Sequence, residues 1–483
     1  MNTLWKQTAT LSIFLAGALA CSSFAQEGGD YRGMELKTSF RDKRIDGFRF
    51  DEAKAIEGQT DFRRSAGDSP SFRNAQLQGI SFENAVISNP DFRKANLQGA
   101  VISGADIRGA NFEGANMEGA NLYRATLLDG SFPKTNLKGA KLDAMKVSDK
   151  ADFSKSDLTS ASVVDVDLTE ADFGKANLTN ANFSRSLLGS ANFSKATVVK
   201  TDFTACNLIN ADFGGVNLVD VNFSKAGLSR AKFSGTKFNN ANLQGADLSL
   251  TTFNDVDLSK TSLQKAQFAQ ATVKNMNFNG QDLTGVVFDK GSLSGSSLEK
   301  AKLNGTSYFD TEVSKNVFKN AQMLKAVFDG AYIYKSIFDG AELTKANFSS
   351  SNIESSAFVG AKMSGADFSG ATLTKVDFTN ADLTGIKINA DTKMDYVIFD
   401  GADLTGAKIE KFTAKRLTYN NKTKFPSGFN PRAYGFTKPG EAAAEVVVEQ
   451  KDQGSQVSDD AMPQKKKRRK KKAEADAAAA AEE

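Results

Sequence analysis

Residues 171–190 read ADFGK-ANLTN-ANFSR-SLLGS. Phe173, Leu178, Phe183 and Leu188 recur at every fifth position, and two residues before each stands Ala171, Ala176, Ala181 or Ser186. Working outward, the same spacing fills most of the chain. It starts at Phe62, is interrupted at Gly67, and continues from Phe72 through Leu77, Phe82, Ile87, Phe92 and Leu97 to Val147. One extra residue intervenes before Phe153. From there every fifth residue up to Ile388 is Phe, Leu, Val, Ile, Met or Tyr308. A second one-residue slip leads to Met394, Phe399, Leu404 and Ile409. Asp or Asn is the commonest residue just before each large one, and the two positions after it are polar, small or charged.

A helix needs apolar positions near period 3.6 and a strand needs period 2. Period five sustains neither. One large and one small inward residue per five suits a chain that turns a corner every five residues, and four corners close a square coil of twenty. Units such as Ala110-Asn111-Phe112-Glu113-Gly114, Ala171-Asp172-Phe173-Gly174-Lys175 and Ala366-Asp367-Phe368-Ser369-Gly370 resemble the pentapeptide-repeat family, whose motif is A-(D/N)-(L/F)-x-x. The resemblance covers roughly seventy tandem units, about residues 60–410. It implies an all-β fold, a right-handed quadrilateral parallel β-helix with the large and small residues inward. Coils stacked at the usual strand spacing would make a rod on the order of 80 Å long.

The unusual composition follows from this. Pro is scarce (7 of 483 residues) because stacked coils use nearly every backbone N–H, and four of the prolines, Pro426, Pro431, Pro439 and Pro463, lie beyond the repeats. Glycines gather at the second outward position, where a tight turn suits them. Phe recurs every ten residues from Phe173 to Phe233 with Leu mostly between, which stacks Phe on two opposite faces. After Phe253 the register moves to Phe268, Phe278 and Phe288, so the ring ladders should change faces near 253–268, with a change in cross-section or twist.

Five segments are expected: a signal peptide at 1–25, an N-terminal cap at 26–61, the β-helix at 62–409, a C-terminal cap at 410–438 and a tail at 439–483. The caps cover backbone edges that a coil stack leaves open. In the first, Phe40, Ile45 and Phe50 hint at the five-residue register, and Asp51 to Glu57 suggests a short helical turn. The second resembles a closing segment ending in F-P-x-G-F, Phe425 to Phe429, with aromatic side chains folded over the last coil. The tail has few large apolar residues and is expected to be disordered. It carries the basic block Lys465, Lys466, Lys467, Arg468, Arg469, Lys470, Lys471 and Lys472, flanked by acids. That block reads either as a tether for an anionic surface or as a solvated low-complexity segment.

The N-terminus has the parts of an export signal: Lys6, then the apolar run Ala9 to Ala20, then small residues at Ser23 and Ala25 with cleavage before Gln26. An alternative takes Ala18-Leu19-Ala20-Cys21 as a lipoprotein box with Cys21 lipidated. Either way the protein is exported, periplasmic or secreted. No later run is apolar enough for a transmembrane helix.

Little in the chain suggests catalysis. There is no His, which removes the commonest general base and metal ligand, and two Cys cannot form a thiolate metal cage. Ser297-Leu298-Glu299-Lys300 matches S-x-x-K only through the repeat grammar. Asp157, Asp167, Asp172, Asp202 and Asp212 occupy the slot before the large residue, where a carboxylate can bond the local turn. Cys206 falls in the small inward slot. No catalytic residue, metal site or cofactor is assigned. One surface feature stands apart: Lys155, Lys175 and Lys195 are spaced by twenty and should align on successive coils, either as a stripe for a polyanion or as charges splayed into water. Lys315 with Lys335 and Lys325 with Lys345 repeat the pattern.

The reading is a non-enzymatic exported scaffold whose partner is a protein or an anionic envelope polymer. One alternative is a nucleic-acid mimic binding topoisomerases, as in some cytoplasmic relatives, which the export signal and the formal net charge of +4 oppose. Nucleic acid itself is a disfavoured partner. A further alternative is a polysaccharide-active β-helix enzyme, which would need long loops that the repeats do not leave.

Overall fold

A computed structural model of the chain describes residues 29–438. The backbone pairs in parallel with itself twenty residues on. Asp172 pairs with Asn192, Asn177 with Thr197, Asn182 with Asp202 and Leu187 with Asn207, one pair on each of four faces. Phe173, Leu178, Phe183 and Leu188 are all fully buried, and so are Ala171, Ala176, Ala181 and Ser186. The fold is the quadrilateral parallel β-helix that the five-residue period implies.

Each corner is a four-residue turn. Ala176 N donates to Phe173 O at 2.9 Å, and Lys175 between them has φ 62°. A closed turn with positive φ at its third residue is the type II pattern. Between coils, Phe173 N donates to Asn192 O at 2.8 Å and Asn192 N to Ala171 O at 2.9 Å.

A second kind of face is more extended, as at Thr272–Lys274, Ser292–Ser294, Glu312–Ser314 and Tyr332–Tyr334. Here the small residue after the turn does not donate back to the large one. Side chains from the coil above accept instead: Met276 N donates to Ser296 Oγ at 3.0 Å and Ser296 N to Asn316 Oδ1 at 2.9 Å. Asn316 N and Ser336 N continue the series to Ser336 Oγ and Ser356 Oγ at 3.3 and 3.1 Å. Pro70 and Pro90 follow the extended faces Ala66–Asp68 and Val86–Ser88, at the same point of the turn. Proline is tolerated there because the turn asks for no N–H.

Aromatic rings form columns. From Tyr31 through Phe50, Phe72, Phe92, Phe112, Phe132, Phe153, Phe173, Phe193, Phe213 and Phe233 to Phe253, each ring stacks on the next at 4.7–5.8 Å. The extra residue near 148 is absorbed by pairing at twenty-one, Asn136 with Asp157 and Lys141 with Ser162. The second slip is absorbed the same way, Thr372 with Lys393 and Asp382 with Asp403.

Coiling begins before residue 62. Asp30 pairs with Arg49, and Glu35–Leu36 with Lys54–Ala55. The helical turn expected at Asp51 to Glu57 is replaced by that strand, because Phe50 and Ala53 both fit inward slots and are fully buried. The next coil is long, pairing Arg44 with Ala66 and Lys54 with Gln76. Gly67 takes the large-residue position in it. A Cβ there would lie 2.9 Å from the Ile45 carbonyl carbon, so only glycine lets this coil close. At the other end Tyr419, Phe425, Phe429, Tyr434 and Phe436 cluster over Phe399, with Phe436 5.3 Å from both Phe399 and Phe425.

The ring columns change faces where expected. Phe253 meets Phe268 edge-on at 5.8 Å, and the new column runs Phe268, Phe288, Tyr308, Phe328, Phe348, Phe368. The backbone registers this as a break in the ladder. Lys232 pairs with Asp212 below, and Thr252 with Thr272 above, but Lys232 does not pair with Thr252. Lys237–Asn239 closes one sheet, and Thr252–Asn254 opens another. Only the face through Gly227, Asp247, Gln267 and Val287 stays paired across this seam. Leu258 O is satisfied by the Gln281 side-chain amide, whose own Oε1 is buried without a partner.

Candidate functional site

The chemistry-bearing residues are mostly committed to the turns. Asp157, Asp167, Asp172, Asp202 and Asp212 each accept, through Oδ1, the N–H two residues on, at 2.8–3.1 Å. That satisfies a donor the turn would otherwise leave open. Among the described residues, no three His, Cys, Asp or Glu side chains gather as a metal site. Leu298 of the S-x-x-K match is a buried core residue, and Ser297 Oγ donates to Asn279 Oδ1 at 2.7 Å. Cys206 is buried, its Sγ donates to Phe183 O at 2.8 Å, and burial pushes the thiol up to about 12. Such a thiol has little thiolate at neutral pH.

The lysine column is a real alignment. Lys155, Lys175 and Lys195 occupy the same corner of successive coils, each with positive φ, at 60°, 62° and 62°. The rings beneath them, Phe153, Phe173 and Phe193, are stacked 5.3 and 5.2 Å apart. Other basic residues of these coils are paired along the stack: Lys134, one coil below Lys155 at the same corner, with Glu113 at 2.7 Å, Lys150 at an adjoining corner with Glu170 at 3.3 Å and Arg185 at the opposite corner with Asp165 at 2.7 Å. No carboxylate lies within ion-pair distance of Lys155, Lys175 or Lys195 among the described residues. The next residues up this corner are Gly215 and Gly235. Of the other aligned lysines, Lys335 lies over the Tyr334 ring, 5.0 Å from its centre.

Beside the column is a shallow groove of about 300 Å³, which sequence spacing alone did not reveal. Its floor is Ser154, Gly174 and Ser194, and its far wall is Asp172 and Asn192. Asp172 Oδ1 accepts both Gly174 N and Asn192 Nδ2, each at 2.8 Å, which fixes the wall. A Cβ on Gly174 would stand 2.9 Å from Asp172 Oδ1, so the missing side chain keeps the middle of the groove open. A second crevice, about 400 Å³, lies at the seam between Arg230, Phe233, Gly235, Leu250, Asn254 and Val256. Ala25, Gln26, Cys21 and the basic block at 465–472 lie outside the described residues.

A family model described as a pentapeptide repeat region matches residues 188–263, 227–298 and 311–388. Models for pentapeptide repeats in nine and eight copies match residues 82–135 and 149–188. Together these span more than half of the sequence, and the chain belongs to the pentapeptide-repeat family. No curated protein matches it.

Among solved structures it is similar to HetL, a pentapeptide repeat protein involved in heterocyst differentiation regulation in the cyanobacterium Nostoc sp. strain PCC 7120. Identity is 18%, over 76% of this chain and 93% of that one, with a TM-score of 0.15. Full-length QnrB1, a plasmid-mediated fluoroquinolone resistance protein, is 17% identical over 50% and 94%, with a TM-score of 0.19. The family 6 alginate lyase AlyGC is 8% identical over 84% and 87%, also with a TM-score of 0.19. At these values the likeness carries no argument about activity.

Proposed function

We propose that the protein is an exported, non-enzymatic scaffold that offers the flat faces of its coil stack to an envelope component, either a protein or an anionic polymer. One observation carries the non-enzymatic part: the carboxylates that could do acid–base work are spent on turn hydrogen bonds, coil after coil. Each of these five holds its own turn through Oδ1, a structural task for an oxygen that acid–base chemistry would need free. Export is supported by the sequence of residues 1–26. Among the described residues, no helix is long and apolar enough to cross a membrane.

Cell fractionation followed by pull-down from the envelope fraction tests this reading. The expected result is a mature chain beginning at Gln26 in the periplasm or medium, or an anchored chain beginning at Cys21, with a partner recovered from the envelope. A chain found in the cytoplasm with its first 25 residues intact overturns it.

A further inference from the structure

From the groove beside Lys155, Lys175 and Lys195 we infer a binding site for a linear acidic glycan, one carrying a carboxylate on each sugar ring. The inference deepens the scaffold reading and rests on it only for where the polymer is met.

Two independent features point there. The first is charge. Three ammonium groups are stacked along one corner without acid partners, whereas Lys134 just below them at that corner, Lys150 at an adjoining corner and Arg185 at the opposite one are each paired with an acid within the stack. Like charges in a column repel, and an anion repeating at the rise of the coils relieves all three at once. An ammonium has three donors and no acceptor, so it matches a carboxylate.

The second feature is the opposite wall together with the floor. Asp172 offers a carboxylate whose Oδ1 is already engaged, Asn192 offers its amide, and Ser154 and Ser194 offer hydroxyls. An ionised carboxylate only accepts hydrogen bonds. It therefore suits a ligand with hydroxyl donors and repels one that is anionic throughout. A sugar acid supplies both halves, carboxylates toward the lysines and ring hydroxyls toward Asp172. A polyphosphate chain has no hydroxyl to give. The groove is open because Gly174 has no side chain, and it spans the three coils that carry the lysines.

The test titrates the full mature chain with an oligogalacturonate, using a neutral glucan of equal length and an inorganic polyphosphate as comparisons. The expected result is binding of the oligogalacturonate alone, weakened by salt. The variant Lys155→Gly/Lys175→Gly/Lys195→Gly should lose at least tenfold in affinity. It should still fold, because Gly215 and Gly235 already occupy this corner at positive φ, and a circular dichroism melt checks that. Replacing the basic block at 465–472 with glutamine should leave the affinity unchanged. Four outcomes overturn the inference: no binding of the oligogalacturonate, equal or tighter binding of polyphosphate, retention of affinity in the glycine variant, or its loss in the tail variant. None of them bears on export or on recovery of an envelope partner, so this site and the scaffold reading fail separately.

Discussion

Residues 171–230 and residues 232–262 obey the same five-residue rule in sequence, yet they differ in space. In the first stretch every face is paired to the coils above and below. In the second, three faces lose a pairing, and Gln281 lends a side chain where the backbone does not reach. The difference shows that period five dictates which side chains point inward but not whether successive coils fit. Fit depends on like stacking on like. Where Phe sits on Phe the coil repeats its own shape. Where the Phe column moves to another face, a large ring meets a smaller neighbour and the close-packed interior must adjust. Here the backbone yields, and the crevice beside Val256 is the result.

The comparison can be broken most directly in the core. Phe193→Ala, within a continuous ring column, should cost about 3–5 kcal/mol by urea unfolding. Val256→Ala, on a half-buried residue at the seam, should cost less than about 1 kcal/mol. Equal losses would mean that the seam is packed like the rest.

Hydrogen exchange sharpens the contrast. Amides of 253–260 should exchange at least about a hundredfold faster than those of 173–193, because local opening there breaks fewer bonds. Uniform protection across residue 255 would contradict the broken ladder.

A smaller effect lies above the seam. The Tyr308 hydroxyl is buried in the second ring column without a partner. Tyr308→Phe should stabilise the protein by about 1 kcal/mol, and the gain should appear in exchange of amides above residue 262 rather than below 230. Burial pushes the phenol well above its usual range. The folded state therefore holds the proton that the unfolded chain gives up near pH 10. That part of the stability is intact below pH 10 and lost as pH rises beyond it. Melts at pH 8 and pH 11 should show an alkaline loss that Tyr308→Phe reduces.

The smallest effect is at the N-terminal end. Burial alone would raise the Asp91 carboxyl, but hydrogen bonds from Arg93 and Arg73 hold it at about 2. Its contribution is present above the ordinary carboxylate range and lost as pH falls toward 2. Asp91→Asn should flatten the acid side of the stability profile for amides below the seam. An unchanged acid limb would show the two arginines to be idle.

Much of this was legible beforehand. The inward positions, the turn role of Asp172 and its equivalents, the buried Cys206 and the change of ring columns all follow from spacing. What was not legible depends on which residues lie above one another once slips are absorbed. Counted across the extra residue at 148, Phe132 and Phe153 share a face, and the column from Tyr31 to Phe253 becomes one object. Phe40, Ile45 and Phe50 hinted at the register, but the uneven lengths of the first coils hid that pairing already begins at Asp30. The series Ser296, Asn316, Ser336 and Ser356 was visible only as exceptions to Ala, because its purpose arises from a turn that leaves an N–H unmet. The groove was invisible for the same reason: Gly174 matters only beside Ser154 and Ser194.

The closed twenty-residue circuit has a consequence for how such a chain can lengthen. Inserting one whole circuit returns every ring above to the face it held before, so the addition passes unnoticed by the core. Inserting a single five-residue unit rotates everything above it by a quarter turn, and large rings then arrive over smaller side chains. The seam near residue 255 has the form such a rotation would leave behind, a scar that a fold with no fixed number of circuits can carry without losing its interior.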